Sequence, residues 1–214
     1  MNYYLEITLL SNHEINLFSL WSQAFQQIHL GLVETQDTEK RAAIGLSFPE
    51  YKMGDRFGML GSRLRLFAPD ETSLIRFDAK KRLSHLSDHV NCTGILLVPS
   101  IVEGYAVYQR EQPKTGRERL ARRYAKRHNL DYQTAFNGKV ELCAKHDNAT
   151  EYKKVLMSYS EMPHKTITTP FIRLKSLSSG NTFCLWIKKR EIENSVKGIF
   201  TTYGLSSTAS VPEF

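Results

Sequence analysis

Cysteine is scarce in this chain of 214 residues, which has only three: Cys92, Cys143 and Cys184. They are far apart, odd in number and never arranged Cys-x-x-Cys. They therefore suggest neither a disulfide framework nor a zinc knuckle, and they read as free buried thiols. Long apolar runs are missing too. The most apolar stretch, residues 94–102, is interrupted by Pro99 and falls far short of the roughly 20 residues a helical membrane span needs, so no membrane partner is expected. The opening Met-Asn-Tyr-Tyr-Leu-Glu lacks the basic and apolar regions of a signal peptide, which leads to the expectation of a cytoplasmic protein. The sequence shows no internal repeat and no low-complexity tract.

What is present describes a folded protein. Hydrophobic residues make up 41% of the chain, and its 11 Phe, 10 Tyr and 2 Trp are spread along it, which argues against disorder. The formal net charge is +7, and much of the excess lies in one place. Between residues 110 and 128 stand Arg110, Lys114, Arg117, Arg119, Arg122, Arg123, Lys126 and Arg127, opposed by Glu111 and Glu118.

The first hundred residues alternate strand and helix patterns. Residues 3–10 (YYLEITLL) read as a strand. From 14 to 33 the apolar positions Leu17, Leu20, Trp21, Phe25, Ile28 and Leu32 recur at helical spacing. Residues 43–48 read as a strand closed by Pro49. Residues 63–67 (RLRLF) alternate as a strand with one face open to solvent or a ligand does. Asp70 is a candidate N-cap for a helix presenting Leu74, Ile75, Phe77, Leu83 and Leu86 to a core, and residues 94–98 (GILLV) complete the set. The order β-α-β-β-α-β is that of ferredoxin-like domains, including RNA-recognition motifs. Further strands are expected at 105–109, at 171–176 and 182–188 as a hairpin, and at 199–203. Residues 137–169 show no clear pattern. The fold class is α+β, with a ferredoxin-like domain over residues 1–102 and a second α/β domain over 103–214 carrying the arginine-rich helix.

That helix is the strongest chemical signal. Arg119, Arg122, Arg123, Lys126 and Arg127 fall at steps of three, one, three and one, forming a cationic stripe with Leu120 and Tyr124 left to anchor the other side. A solvated helix usually mixes signs to gain i,i+4 pairs, so a rail of nucleic-acid phosphates is the better reading. Other features are equivocal. His29, beside Ile28 and Leu30, could be a base, although a lone histidine of this kind is more often a packing residue. His85, His89 and Cys92 could form a metal site, but no acidic motif completes it. Ser176, Ser178 and Ser179 suit the hairpin turn as they stand, and Phe183 and Trp186 could pack or stack on bases.

Taken together, several segments resemble the type I-F CRISPR repeat-processing endoribonucleases. They are YYLEITLL near the start, the helix ending IHLGLV (28–33), IGLSFP (44–49), RLR (63–65), RHNL (127–130), LKSLSSG (174–180) and FTTYGLS (200–206). The resemblance runs through nearly the whole chain. It implies that His29 is the catalytic histidine, that Ser176 lies beside the attacking hydroxyl, and that Tyr203 helps to position the histidine. It further implies that Arg110 and Gln112 read base edges at the foot of an RNA hairpin, and that Arg122, Arg123, Lys126, Arg127 and His128 belong to the groove-binding helix, whose cationic stripe also includes Arg119 as an RNA-binding candidate. Phe183 would stack under the terminal base pair, with Ser178 near the site. Lys126 stands in place of an arginine, exchanging a bidentate contact for a point charge, and Glu213 stands in place of an aromatic near the end of the chain.

The implied activity is cleavage of CRISPR precursor RNA at the base of its repeat hairpin. RNA carries its own nucleophile, so the reaction needs a base for the 2′-hydroxyl, a donor for the leaving 5′-oxygen and in-line geometry; no metal or cofactor is called for. A histidine, with an ordinary pKa of about 6.5, serves as that base near neutral pH. The expected products carry a 2′,3′-cyclic phosphate and a 5′-hydroxyl. Expected partners are the repeat hairpin, before and after cleavage, and other subunits of the type I-F surveillance complex. The alternatives are a hairpin-binding subunit without cleavage and a generic RNA-binding protein.

Overall fold

The computed structural model describes residues 1–112, 116–145, 152–162, 167–176 and 178–214, with side chains described throughout except at 142–145 and 152–154. Lys114, Leu177 and the Cys143 side chain therefore lie outside the described residues. Strand β1 (Tyr3–Leu9) is followed by helix α1 (Leu17–Glu34), β2 (Gly45–Ser47), β3 (Arg63–Ala68), α2 (Glu71–Phe77), α3 (Ala79–Arg82), a 3-10 turn at Ser84–Leu86, β4 (Val90–Cys92) and β5 (Leu96–Leu97). These strands make an antiparallel sheet in the order β2-β3-β1-β4, with β5 also on β1. The chain continues through β6 (Gly104–Glu111), α4 (Arg117–His128), α5 (Tyr132–Asn137), β7 (Lys139–Lys145), β8 (Tyr152–Ser158), β9 (Phe171–Lys175), β10 (Thr182–Ile192) and β11 (Val211–Glu213). A second sheet has the order β11-β6-β10-β9, and β7 pairs with β8. Helices and sheets thus combine in a mixed α and β architecture.

Helix α1 starts where Asn16 accepts the Ser19 amide, satisfying one of the helix's free donors. Its spacing then buries Leu20, Trp21, Ala24, Phe25, Ile28 and Leu32. Gly31 sits in that buried face because a Cβ there would lie 2.5 Å from Arg82 Nε and 2.7 Å from Phe77 Cε2.

Several sequence expectations need correction. The alternation in β3 does not mark an open face, since Leu64 to Ala68 are all buried. Arg65, only 8% exposed, places Nε 2.7 Å from Glu6 Oε2 and Nη1 2.5 Å from the Phe214 main-chain oxygen. Its guanidinium lies 4.1 Å from the Phe214 ring centroid. Residues some 150 positions away close that face, which local alternation does not register. Ile75 is 60% exposed, because Asp78 turns left-handed (φ 47°) and ends α2, resetting the helical phase before Leu83 and Leu86 enter the core. Of the run 94–98 only Leu96 and Leu97 pair with β1, and both are exposed; Val90–Cys92 occupies the fourth position in the sheet. Residues 199–203 form no strand: Phe200 makes an isolated bridge to Ala42, and a turn follows. Cys92 and Cys184 are half-buried free thiols rather than fully buried ones.

The compact units also differ from a division at residue 102. One unit comprises residues 1–112 with 168–214, and the other residues 113–167. A single buried cluster, running from Leu5 on β1 to Val211 on β11, spans the expected boundary, so the second sheet shares a core with the first. Glu213 belongs to this unit as a half-buried acceptor, 2.8 Å from Lys189 Nζ and 3.1 Å from the Tyr108 hydroxyl. Burial and the Glu213 charge push the Tyr108 phenol well above its usual range. In the other unit a small core of Ala121, Val140 and Tyr159, with Leu120, Tyr124, Tyr132, Phe136 and Met162 around it, holds α4 and α5.

Because removing one partner of a buried ion pair leaves the other charge uncompensated, Arg65→Ala is expected to destabilise the protein by about 3 kcal/mol, the low end of such losses, since Arg63 still lies 3.8 Å from Glu6. Urea unfolding of the variant against wild type checks this.

Candidate active site and nucleic-acid interface

The centre of the candidate site is His29, half-buried in the penultimate turn of α1. Its Nδ1 lies 2.8 Å from the Thr202 carbonyl oxygen. A carbonyl can only accept, so this contact requires the proton on Nδ1 and leaves the Nε2 lone pair of the neutral ring available. The Tyr203 ring lies flat on the imidazole, with centroids 4.1 Å apart and planes 3° apart.

Both contacts depend on one tight turn. The Gly204 amide donates to the Thr201 carbonyl at 2.8 Å, and the Thr201 amide donates to Leu205 O at 2.8 Å. Gly204 has φ +66°, and a Cβ there would lie 2.3 Å from Leu46 Cγ, so both backbone conformation and space demand glycine. The turn is moored by the Leu46 amide donating to Gly204 O at 2.9 Å.

Arg110, exposed on β6, extends the cluster. Its guanidinium carbon lies 5.7 Å from the Tyr203 ring centroid and 5.7 Å from that of Phe183 on β10, within cation–π range. His29, Tyr203, Arg110 and Phe183 thus form one continuous group, drawn from four elements scattered through the sequence. Ser176 occupies the turn after β9, where Ser176 Oγ lies 3.2 Å from Ser178 Oγ and accepts the Ser179 amide at 3.3 Å. That turn is tied to α1 by the Lys175 amide, which donates to Gln26 Oε1 at 3.3 Å, three residues before His29. Ser178 is exposed, and Gln112 is exposed just beyond β6.

In the other unit, α4 exposes Arg119, Arg122, Arg123, Lys126, Arg127 and His128. Among the described residues no carboxylate pairs with the first five of these, whereas Arg117 takes Glu118 at 3.2 Å. Leu120 and Tyr124 face the small core, but the deepest anchors are Ala121 and Ala125, whose small side chains let the helix approach closely. His128 stacks on Tyr124 with centroids 4.1 Å apart. Lys126 and Arg127 in the last turn also complement the helix dipole. His85, His89 and Cys92 do not converge, since the described residues hold no group of three or more potential metal ligands.

Sequence reasoning missed the Thr202 carbonyl and Gln26. A main-chain acceptor leaves no mark in side-chain chemistry; the only available signal was Gly204, which betrays a tight turn.

Comparisons with known proteins identify the family. The profile of the CRISPR-associated protein (Cas_Csy4) family matches residues 4–214. The CRISPR-associated endonuclease Cas6/Csy4 of Escherichia coli (strain UTI89 / UPEC) is 31% identical over 215 residues, covering 100% of both chains. The protein of the same name from Pseudomonas aeruginosa (strain UCBPP-PA14) is 30% identical over 215 residues, again with 100% of both covered. The chain belongs to the Cas_Csy4 family. Among solved structures, one titled "An RAMP protein binding different RNA substrates" aligns over 99% of both chains at 11% identity with a TM-score of 0.34, too loose a superposition to carry a fold argument.

The contact at Nδ1 gives a direct test. Nitrogen-15 NMR is expected to show neutral His29 as the Nδ1–H tautomer, and Gly204→Ala, by shifting the Thr202 carbonyl, to restore a mixture of tautomers.

Proposed function

We propose that this protein is a metal-independent, sequence- and structure-specific endoribonuclease that cuts CRISPR precursor RNA at the base of each repeat hairpin. The observation that carries the reading is the orientation of His29 by the Thr202 carbonyl, which frees Nε2 to act as a general base. In this mechanism Nε2 takes the proton of the 2′-hydroxyl, a bond forms from the 2′-oxygen to phosphorus, and the bond to the 5′-oxygen breaks, that oxygen leaving with a proton from solvent or the imidazolium. The products bear a 2′,3′-cyclic phosphate and a 5′-hydroxyl. Ser176 holds the attacking hydroxyl in line, and Tyr203 holds the imidazole plane.

The remaining residues select the RNA. Phe183 stacks beneath the terminal base pair and Arg110, with Gln112, reads base edges near it, while Ser178 lies beside the backbone. Arg119, Arg122, Arg123, Lys126, Arg127 and His128 grip the hairpin's phosphates. RNA presents its deep major groove to a helix only near an end or distortion, which suits a short hairpin. The names of the two curated relatives support nuclease action within a CRISPR system. The order β2-β3-β1-β4 supports a ferredoxin-like arrangement for the first sheet.

Contacts that select the hairpin persist after the cut, so the protein acts once per RNA. It then remains on the 3′ hairpin as a subunit of the type I-F complex in the cytoplasm.

The deciding experiment is cleavage of a repeat hairpin in excess EDTA. Wild type is expected to cut all-ribose RNA, His29→Ala to bind without cutting, and RNA with one 2′-deoxy substitution at the cut site to resist. Binding by wild type without any cutting overturns the nuclease reading and leaves a structural hairpin-binding subunit. For the helix, Arg122→Ala is expected to weaken hairpin binding at all sequences and lower the slope of log K against log salt by about one, since each phosphate contact releases counterions. An unchanged slope overturns the phosphate role.

A further inference from the structure

The β9/β10 half of the second sheet has a face that the proposed hairpin contacts do not use. Directly paired residues share a face in an antiparallel sheet, and the register sets Lys175 against Thr182, Arg173 against Cys184, and Phe171 against Trp186. Lys188 follows Trp186 on the same face by strand alternation. The opposite face carries Ile172, Leu174, Leu185 and Ile187, all buried, and Phe183. Arg173, Lys175 and Lys188 are exposed, and among the described residues no carboxylate pairs with any of them. Glu111, opposite Trp186, is engaged by the Thr169 hydroxyl at 2.5 Å.

Between these cations runs a ribbon of aromatic rings. Phe171 and Trp186 have centroids 4.5 Å apart, Phe18 meets Phe171 edge-on at 5.4 Å, and Arg173 lies 5.7 Å from the Phe18 centroid. Phe18 is 43% exposed. Unpaired cations interleaved with accessible rings are what a single strand of nucleic acid needs: charge for its backbone and flat apolar surfaces for its bases. A protein partner docking on an apolar surface would not call for three uncompensated cations.

We infer that this face binds single-stranded RNA, and specifically the strand running 3′ from the cut. The inference rests on the proposed function and deepens it. The polarity follows from Ser176, which sits next to Lys175 at the end of β9. A strand leaving the scissile phosphate there meets Lys175 first. It then meets Arg173, one pleat or about 6.6 Å further on, and then the Phe171–Trp186 rings. The downstream strand would thereby be held taut away from the scissile bond, favouring in-line attack, and be released once the bond is broken.

The test uses repeat hairpins with a 2′-deoxy block at the cut site and with no extension, six extra nucleotides 3′ of the cut, or six extra 5′ of the stem. Wild-type affinity is expected to rise about tenfold with the 3′ extension and not with the 5′ one. Trp186→Ala is expected to abolish that gain. The doubly exposed variant Arg173→Gln/Lys188→Gln, which removes no packed ring, is expected to reduce the gain severalfold and flatten its salt dependence while binding the bare hairpin as wild type does. No gain from the 3′ extension, a gain only from the 5′ extension, or equal losses on bare and extended hairpins overturns the inference. Failure of wild type to bind the bare hairpin would instead overturn the proposed function itself.

Discussion

The site depends on a seam of main-chain hydrogen bonds between residues nearly 160 positions apart. The Ala42 amide donates to Phe200 O and the Leu46 amide to Gly204 O, each at 2.9 Å. These bonds fix the 200–205 turn in three dimensions, and only then does the Thr202 carbonyl stand where His29 Nδ1 needs an acceptor. The seam requires close approach, since a Cβ on Gly45 would lie 2.6 Å from the Phe200 ring. Glycine on both sides, at 45 and 204, is the steric condition for the contact between His29 and the Thr202 carbonyl.

Charge follows a comparable division. Several carboxylates of the larger unit are bound to internal partners: Glu6 holds Arg65, Glu213 holds Lys189, and Glu50 accepts Ser62 and Arg63. The Ser62 amide, ahead of the Arg63 guanidinium, keeps the Glu50 carboxyl below its usual range. Cations on α4 and on the β9/β10 face have no such partners among the described residues. The net positive charge is therefore displayed on surfaces rather than neutralised in place, as a polyanion-binding protein requires.

How much of this was legible in the sequence depends on whether the cause is local. The N-cap Asp70, the α1 stripe and the exposed α4 cations rest on neighbours within a few positions, and all are read correctly; the Asn16 cap, equally local, is not read. Arg65 misleads, because burial of a β3 arginine is decided by Phe214. The 199–203 segment misleads for the same reason: Phe-Thr-Thr-Tyr has strand propensity, but bonds from Ala42 and Leu46 hold it as a bridge and a turn. The unit boundary is misplaced because β6 reads as the start of something new, while its partners β10 and β11 carry it back into the first core. At the site, residue types single out candidates but not their juxtaposition. That Tyr203 lies flat on His29, and Arg110 between Tyr203 and Phe183, follows from contacts over 70 to 170 residues.

The choice of a main-chain carbonyl as the partner of His29 also has a physical logic. A carboxylate there would orient the ring equally well, but under the proposed function it would place a negative charge beside a phosphodiester whose transition state is itself gaining negative charge. The carbonyl selects the same tautomer while adding no net charge. It cannot rotate away as a side chain can, because the 201–204 turn and the Leu46 bond hold its peptide plane. Tyr203 completes the restraint through its ring face, leaving the Nε2 edge free. With the imidazole oriented by neutral groups, positive charge can be supplied separately by exposed cations such as Arg110, which lies over the Tyr203 ring.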